Sequence, residues 1–159
     1  MNINIICIGK LKEKYWQAAV AEYTKRIGGY ARIQIVELKE SKLPKNASPA
    51  DESQVMEKEG ETILSKIGES DYVIAMEVEG KMLDSVDLSR HLTKTFDSGR
   101  STVDFIIGGS LGLSPAVKKR ADFGLSFSRM TFPHQMARVL LLEQIYRSFK
   151  IANNETYHK

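Results

Sequence analysis

The sequence predicts an α/β domain in which a parallel sheet is flanked by helices on both faces. Short apolar, β-branched runs alternate with helical periodicity along the whole chain, which is typical of doubly wound folds. At 159 residues the chain can bury a core without disulfides or metal, and no repeat or low-complexity tract divides it. We therefore expect one domain spanning residues 1–159.

Five segments are predicted to be strands because they are short and rich in β-branched and aromatic residues. In chain order they are residues 3–8, 32–38, 72–78, 102–107 and 124–128, of which the last is the weakest. Ligands of such folds bind beyond the carboxyl ends of the strands. That rule selects Gly80, residues 108–112 and residues 129–133 as candidate site segments.

The segments between these strands carry apolar residues at intervals of three and four, which predicts helices. Gly28 and Gly29 end the first helix, and Ser48-Pro49 opens the second. Asp84, Ser85 and Asp87 are candidate cap or dipole partners of the third. The predicted helices span residues 11–27, 49–67 and 85–96, a short segment from Ser114-Pro115, and residues 134–151.

Composition indicates a globular protein of a reducing compartment. Hydrophobic residues make up 42% and charged residues 27% of the chain, unlike a disordered protein. The single Cys7 lies in an apolar run and has no partner for an internal disulfide, which fits the cytoplasm. We expect no signal peptide and no membrane contact. The net charge of +3 tolerates an anionic partner without requiring one.

A glycine-rich turn follows the fourth predicted strand. Gly108, Gly109 and Gly112 lie between its apolar end and the helix opened by Ser114-Pro115. Glycine permits positive φ and lets a ligand approach the main-chain amides. The spacing matches neither the dinucleotide fingerprint nor a Walker A loop. Alone, the turn indicates either a ligand site or a tight turn that binds nothing.

A second segment leaves the fifth predicted strand and enters the last helix through Pro133. Its hydroxyls, backbone groups and apolar side chains can enclose an adenine and a thioether without a charged clamp. The alternative is that Met130 and Phe132 belong to the core and that His134 caps the helix.

The last helix and the tail form the third candidate region. Residues 139–142 are apolar on every side, so one face cannot bury them, which indicates packing against a second subunit. Glu143 and Arg147 have the spacing of an intrahelical ion pair. Tyr157 and His158 can stack on a base or pair with phosphate, whereas the alternative is a frayed chain end.

In this order the segments resemble the RlmH family, SPOUT methyltransferases that act on pseudouridine in 23S ribosomal RNA of the large subunit. The resemblance covers essentially the whole chain. Met76 departs from the family, in which Leu is common, and both side chains are apolar. The matching segments are Gly9-Lys10-Leu11-Lys12, Lys58-Glu59-Gly60, Gly80-Lys81, Ile107-Gly108-Gly109, Leu125-Ser126-Phe127-Ser128, Thr131-Phe132-Pro133-His134, Arg138-Val139 and Tyr157-His158.

The resemblance implies a C-terminal trefoil knot, a homodimer packed through the knotted region, and S-adenosylmethionine as methyl donor without a metal. It also implies that RNA meets the cofactor of one subunit beside the tail of the other. Carried over by position, the cofactor contacts are Met76, Gly108, Phe127, Ser128, Arg129, Met130, Thr131 and Phe132.

The implied reaction defines a second set of residues. N3 of pseudouridine is an imide nitrogen that must lose its proton to become a good nucleophile. Arg138 is a candidate to stabilise negative charge on the imide carbonyls, and the tail is a candidate to hold the base or the RNA. The expected catalytic residues are His134, Arg138, Tyr157 and His158.

Three other functions stay open on the sequence. The chain can be a SPOUT methyltransferase acting on transfer RNA, a monomeric nucleotide-binding regulatory module, or a ribosome-associated protein without activity. The sequence shows no appended RNA-binding domain, which favours the assembled ribosome as substrate because its surface would position the enzyme.

Overall fold

The computed structural model describes residues Met1 to Lys159, and strands alternate with helices throughout. The strands are β1 (Asn2–Ile8), β2 (Arg32–Leu38), β3 (Tyr72–Met82), β4 (Thr102–Ile107) and β5 (Phe123–Ser126). The helices are α1 (Lys14–Ile27), α2 (Pro49–Leu64), α3 (Ser85–Asp97), α4 (Pro115–Arg120) and α5 (His134–Ala152).

All five strands are parallel and form one sheet in the order β2-β1-β4-β3-β5. At the carboxyl ends, Ile8 of β1 pairs with Leu38 of β2, and Cys7 pairs with Ile107 of β4. The segments that follow β2, β1 and β4 therefore emerge side by side at one edge of the sheet, which we call the carboxyl edge. The opposite edge is called the amino edge.

Each face of the sheet has its own core, because successive side chains of a strand point to opposite faces. Ile5 belongs to the core covered by α1, α3 and α5, together with Phe105 and Leu142. Ile6 belongs to the core covered by α2 and α4, together with Ile106. The predicted α/β class with a parallel sheet flanked by helices is confirmed, and the C-terminal knot stays a prediction.

Helix starts agree with the sequence where a local cap exists. Ser48 Oγ accepts a hydrogen bond from the Asp51 amide while Asp51 accepts one from the Ser48 amide, so α2 opens with a capping box. Asp84 caps α3 in a similar way. The predicted start of α1 at Leu11 is three residues early, because the Leu11 amide donates to Glu37 on β2 instead.

β3 differs most from its prediction, which ended it at Val78. Met76 and Lys81 both pair with Leu125 of β5, so residues 77–80 bulge out of the ladder. Gly80 crosses β5 closely: an added Cβ would lie 2.8 Å from the carbonyl carbons of Gly124 and Leu125. The bulge carries its residues to the carboxyl edge.

Candidate functional site

A cleft of about 370 Å³ lies at the carboxyl edge, between the bulge of β3, the turn after β4 and the segment after β5. Arg129 is exposed beside it and does not line it. The structure thus brings together seven of the eight predicted cofactor-binding residues: Met76, Gly108, Phe127, Ser128, Met130, Thr131 and Phe132.

The turn after β4 forms one wall, and its glycines allow the chain to fold back on itself. The Gly112 amide donates to the Gly109 carbonyl at 3.0 Å, and Gly112 has a φ of +82°. A Cβ on Gly108 would lie 2.9 Å from the carbonyl carbon and oxygen of Gly112. Gly108 is therefore required by the turn itself, before any ligand is considered.

The segment after β5 forms the facing wall. Ser126 Oγ donates to the Ser128 carbonyl at 3.0 Å, and Ser128 Oγ accepts from the Met130 amide at 3.1 Å. These bonds fix the backbone while Phe127 contributes an apolar surface and Met130 stays 73% exposed. The alternative in which Met130 is a core residue is wrong.

The β3 bulge adds charge at the cleft. Glu77 and Glu79 line it, and Lys118 of α4 approaches them at 3.6 and 3.9 Å. Glu77 is mostly shielded from solvent, whereas Glu79 is 86% exposed. Sequence patterns did not indicate these three side chains. The bulge that brings Glu77 and Glu79 to the cleft arises from pairing with a distant strand, and Lys118 reaches them from α4.

The predicted catalytic residues do not form one cluster within the chain. His134 opens α5 and lines the cleft. Arg138 is 1% exposed and points away from the cleft: it donates to Glu37 at 2.8 Å and to the Gly9 carbonyl at 3.2 Å. In this chain Arg138 holds the ends of β1 and β2 against α5.

The tail is docked rather than frayed. Tyr157 donates to Glu143 at 3.1 Å and lies under the Arg147 guanidinium, 4.6 Å from the ring centroid. Arg147 also contacts His158 at 3.3 Å and pairs with Glu143, as the spacing predicts. Burial, followed by the bond to Glu143, raises the pKa of Tyr157 to about 12.

Glu59 on α2 is a buried carboxylate behind the glycine turn. One oxygen accepts from the Ser41 amide at 3.0 Å, and the other would lie 2.9 Å from a Cβ on Gly109. Burial raises the pKa of Glu59 and the Glu40 carboxylate adds to the shift, while the hydrogen bond from the Ser41 amide opposes it. In the sequence, Lys58-Glu59-Gly60 is one of the segments that match the family, but the match assigned no role to Glu59.

Two other kinds of feature are absent from the structure. No cluster of His, Cys, Asp and Glu has the arrangement of a metal site. None of the helices combines the length and the apolar character needed to cross a membrane.

Comparisons with known proteins agree with this geometry. A family model described as "Predicted SPOUT methyltransferase" matches residues 1–158. The chain is 52% identical to "Ribosomal RNA large subunit methyltransferase H 1" of Clostridium perfringens strain SM101 and to "Ribosomal RNA large subunit methyltransferase H" of strain 13, over 100% of each chain. It also resembles the solved structure of a probable methylase family protein from Haemophilus influenzae, with a TM-score of 0.55 and 13% identity. That likeness covers 99% of this chain and 70% of the other, and it supports the fold alone.

Proposed function

The chain belongs to the SPOUT methyltransferase family, within the RlmH group, and from that premise we propose that it methylates N3 of a pseudouridine in 23S ribosomal RNA. S-adenosylmethionine is the proposed donor, and the assembled ribosome is the proposed substrate. The observation that carries the proposal is the cleft at the carboxyl edge, lined by the segments on which the resemblance to this family rests.

The cleft fits S-adenosylmethionine in size and chemistry. Its volume lies within the range of small-molecule sites. Met76, Leu125 and Phe127 offer apolar surface for an adenine, and the glycine turn offers close approach to the backbone. Glu77 and Glu79 match the positive charge of a sulfonium and an ammonium group.

S-adenosylmethionine supplies, when bound, a methyl group that is already activated on a positively charged sulfur. The protein must then hold the base in line and deal with the imide proton. His134 is the one predicted catalytic side chain that lines the cleft, so it is our candidate to accept or hold that proton.

A homodimer brings the tail into the reaction. The Tyr157 hydroxyl is hydrogen-bonded to Glu143. Glu143 lies nine residues beyond His134 on α5, which corresponds to about 13 Å along the helix axis. This separation favours a base held between His134 of one chain and the tail of another. Met130, Met136 and Leu140 are large apolar side chains left exposed along this part of the chain, and they suit contact with a second copy.

The same proposal places the protein in the cytoplasm, where ribosomes are. Cys7 fits that setting: it is buried and has no partner for a disulfide. Burial raises the pKa of its thiol to about 11, which keeps it unreactive.

The test is transfer of labelled methyl from S-adenosylmethionine to ribosomes from a strain that lacks this gene, with mass spectrometry of the digested RNA. Free ribosomal RNA, isolated subunits, assembled particles and transfer RNA are compared side by side. We expect methylated pseudouridine on assembled particles alone.

Other outcomes have distinct meanings. Label on transfer RNA would replace the proposed substrate. Cofactor binding without transfer to any RNA would favour a binding module and overturn the proposed activity.

A further inference from the structure

Two lysine-rich segments continue the carboxyl edge beyond the cleft. The first, residues 9–15, follows β1, and the second, residues 39–47, follows β2; we call them the lysine segments. β1 and β2 are neighbours, and the Gly9 amide donates to the Leu38 carbonyl at 2.8 Å. β1 also borders β4, whose glycine turn forms a wall of the cleft. The lysine segments and the cleft therefore share one edge.

This part of the surface carries the protein's excess positive charge. The lysine segments contain six lysines and two glutamates, so their net charge exceeds the +3 of the whole chain. None of the six takes part in an ion pair of the structure, so all remain available to an anion. The exposed lysines are Lys10, Lys12, Lys14, Lys39, Lys42 and Lys45.

Three charged side chains, of which Arg138 and Glu59 are buried, anchor both segments. Glu37 accepts from the Leu11 amide at 3.0 Å and from Arg138, which also donates to the Gly9 carbonyl. Glu59 accepts from the Ser41 amide beneath the glycine turn. The backbone of the first segment is thus anchored at Gly9 and Leu11, and that of the second at Ser41, beside the cleft.

The start of α1 carries two lysines, one on either side of its N-cap residue, Glu13. It has no side-chain cap and no acidic residue in the first turn, and Lys12 and Lys14 lie at the positive end of its dipole. By contrast, α2 and α3 open with side-chain caps and acidic residues. A bound phosphate would offset this local charge.

An exposed aromatic ring completes the surface. Tyr15 is 66% exposed, and its ring lies 5.1 Å from that of Trp16. Lysines interleaved with an exposed aromatic side chain are typical of surfaces that bind RNA through phosphates and stacked bases.

We propose that the lysine segments bind the phosphate backbone of the RNA that presents its base to the cleft. This inference rests on the proposed function and adds the binding surface. Six unpaired lysines beside the cleft supply positive charge where the RNA backbone would pass.

The experiment compares triple alanine variants of each segment, Lys10/Lys12/Lys14→Ala and Lys39/Lys42/Lys45→Ala, with matched arginine variants. Methyl transfer to assembled particles, and binding of labelled protein to them by anisotropy, are measured over a range of salt concentrations. Calorimetry with S-adenosylmethionine monitors the cleft.

We expect each alanine variant to raise KM for particles by about tenfold or more. The salt slope should fall by roughly 0.7–0.9 for each phosphate that the variant no longer neutralises. Arginine variants should keep the wild-type KM and salt slope because they keep the charge. The affinity for S-adenosylmethionine should stay unchanged in all variants. The matched control is Lys25/Lys66/Lys94→Ala, three exposed lysines near the far ends of α1, α2 and α3, which should behave as wild type.

Alanine variants with the KM, binding and salt slope of the control would overturn the proposal while leaving the enzyme's function intact. Arginine variants that fail like the alanine variants would also overturn it, since charge would not be the cause. A wild-type protein that binds particles but methylates none would contradict the proposed function, and the anisotropy series would still decide whether the lysine segments bind RNA.

Discussion

The two edges of the sheet are built differently. At the amino edge the chain binds its own polar groups: Arg120 donates to the carbonyls of Gly68, Glu69 and Asp71, and Asp122 accepts from the Val73 amide. At the carboxyl edge glycines leave the backbone uncovered around a cleft, and lysines project into solvent. With the cofactor site proposed at the cleft, changes around the cleft and changes at the amino edge should affect different measurements.

The largest effect is expected for Gly108→Ala at the carboxyl edge. The added Cβ would lie 2.9 Å from the Gly112 carbonyl and force the turn to move. Affinity for S-adenosylmethionine should fall about 100-fold, or roughly 2.7 kcal/mol, in calorimetry.

Gly29→Ala is the matched control at the amino edge, because its Cβ would meet only the Arg26 carbonyl oxygen at 3.7 Å. It should leave the affinity unchanged. A folded Gly108→Ala protein with wild-type affinity would remove the glycine turn from the cofactor site.

Deletion of residues 157–159 tests a segment that lies away from the cleft of its own chain. Methyl transfer should fall by up to about 100-fold, since positioned polar groups are removed from the reaction. Cofactor affinity should change little. Calorimetry and the transfer assay separate the two effects.

Mixed dimers test whether the tail acts across the subunit interface. A chain without its tail and a Gly108→Ala chain should each transfer methyl poorly alone, but together they should recover part of the transfer. Continued full activity of the truncated protein by itself would mean that the tail has no part in the reaction.

Arg120→Met should act on stability alone. The variant removes the guanidinium that donates to three carbonyls of the amino edge, of which Gly68 keeps the Asp71 amide as a donor, and this should lower the free energy of unfolding by about 2 kcal/mol in urea titrations. Affinity for S-adenosylmethionine should stay at the wild-type value.

Arg90→Met is the control, because Arg90 forms only an exposed pair with Asp87 and should cost at most about 0.5 kcal/mol. If Arg120→Met weakened cofactor binding without lowering stability, the division between the two edges would be incorrect.

The last effect concerns pH and the buried Asp104. One of its oxygens accepts from Asn4 at 2.7 Å and the other has no hydrogen-bond partner. Burial raises the pKa of Asp104 to about 6, with Asp71 adding to the shift. The folded state therefore holds this proton more tightly than the unfolded state, and its contribution to stability is lost as pH rises from about 4 to about 6.

Asp104→Asn removes this titration. The difference in unfolding free energy between variant and wild type should shift in favour of the variant across that interval, and then level off above it. Urea titrations at several pH values measure it. A difference that stays constant from about pH 4 to about pH 7 would show that Asp104 does not titrate there.

Local sequence patterns predicted most elements of the fold. β2 and β4 have the predicted bounds, and α2 and α3 begin at their predicted caps. Strand composition and capping side chains act within a few residues, so they can be recognised in the sequence without the tertiary structure. The resemblance also selected seven residues that line one cleft, because the segments after parallel strands meet at one edge.

The features that only the tertiary structure decided depend on contacts between residues that are far apart in the chain. Arg138 pairs with Glu37, 101 residues away, and so became a buried tether instead of a cleft residue. The β3 bulge, which brings Glu77 to the cleft, depends on its register with β5. The sequence by itself determined the elements, the class of fold and the segments of the site. The tertiary structure decided which side chains face the cleft, because that depends on the register and packing of strands that the chain order does not specify.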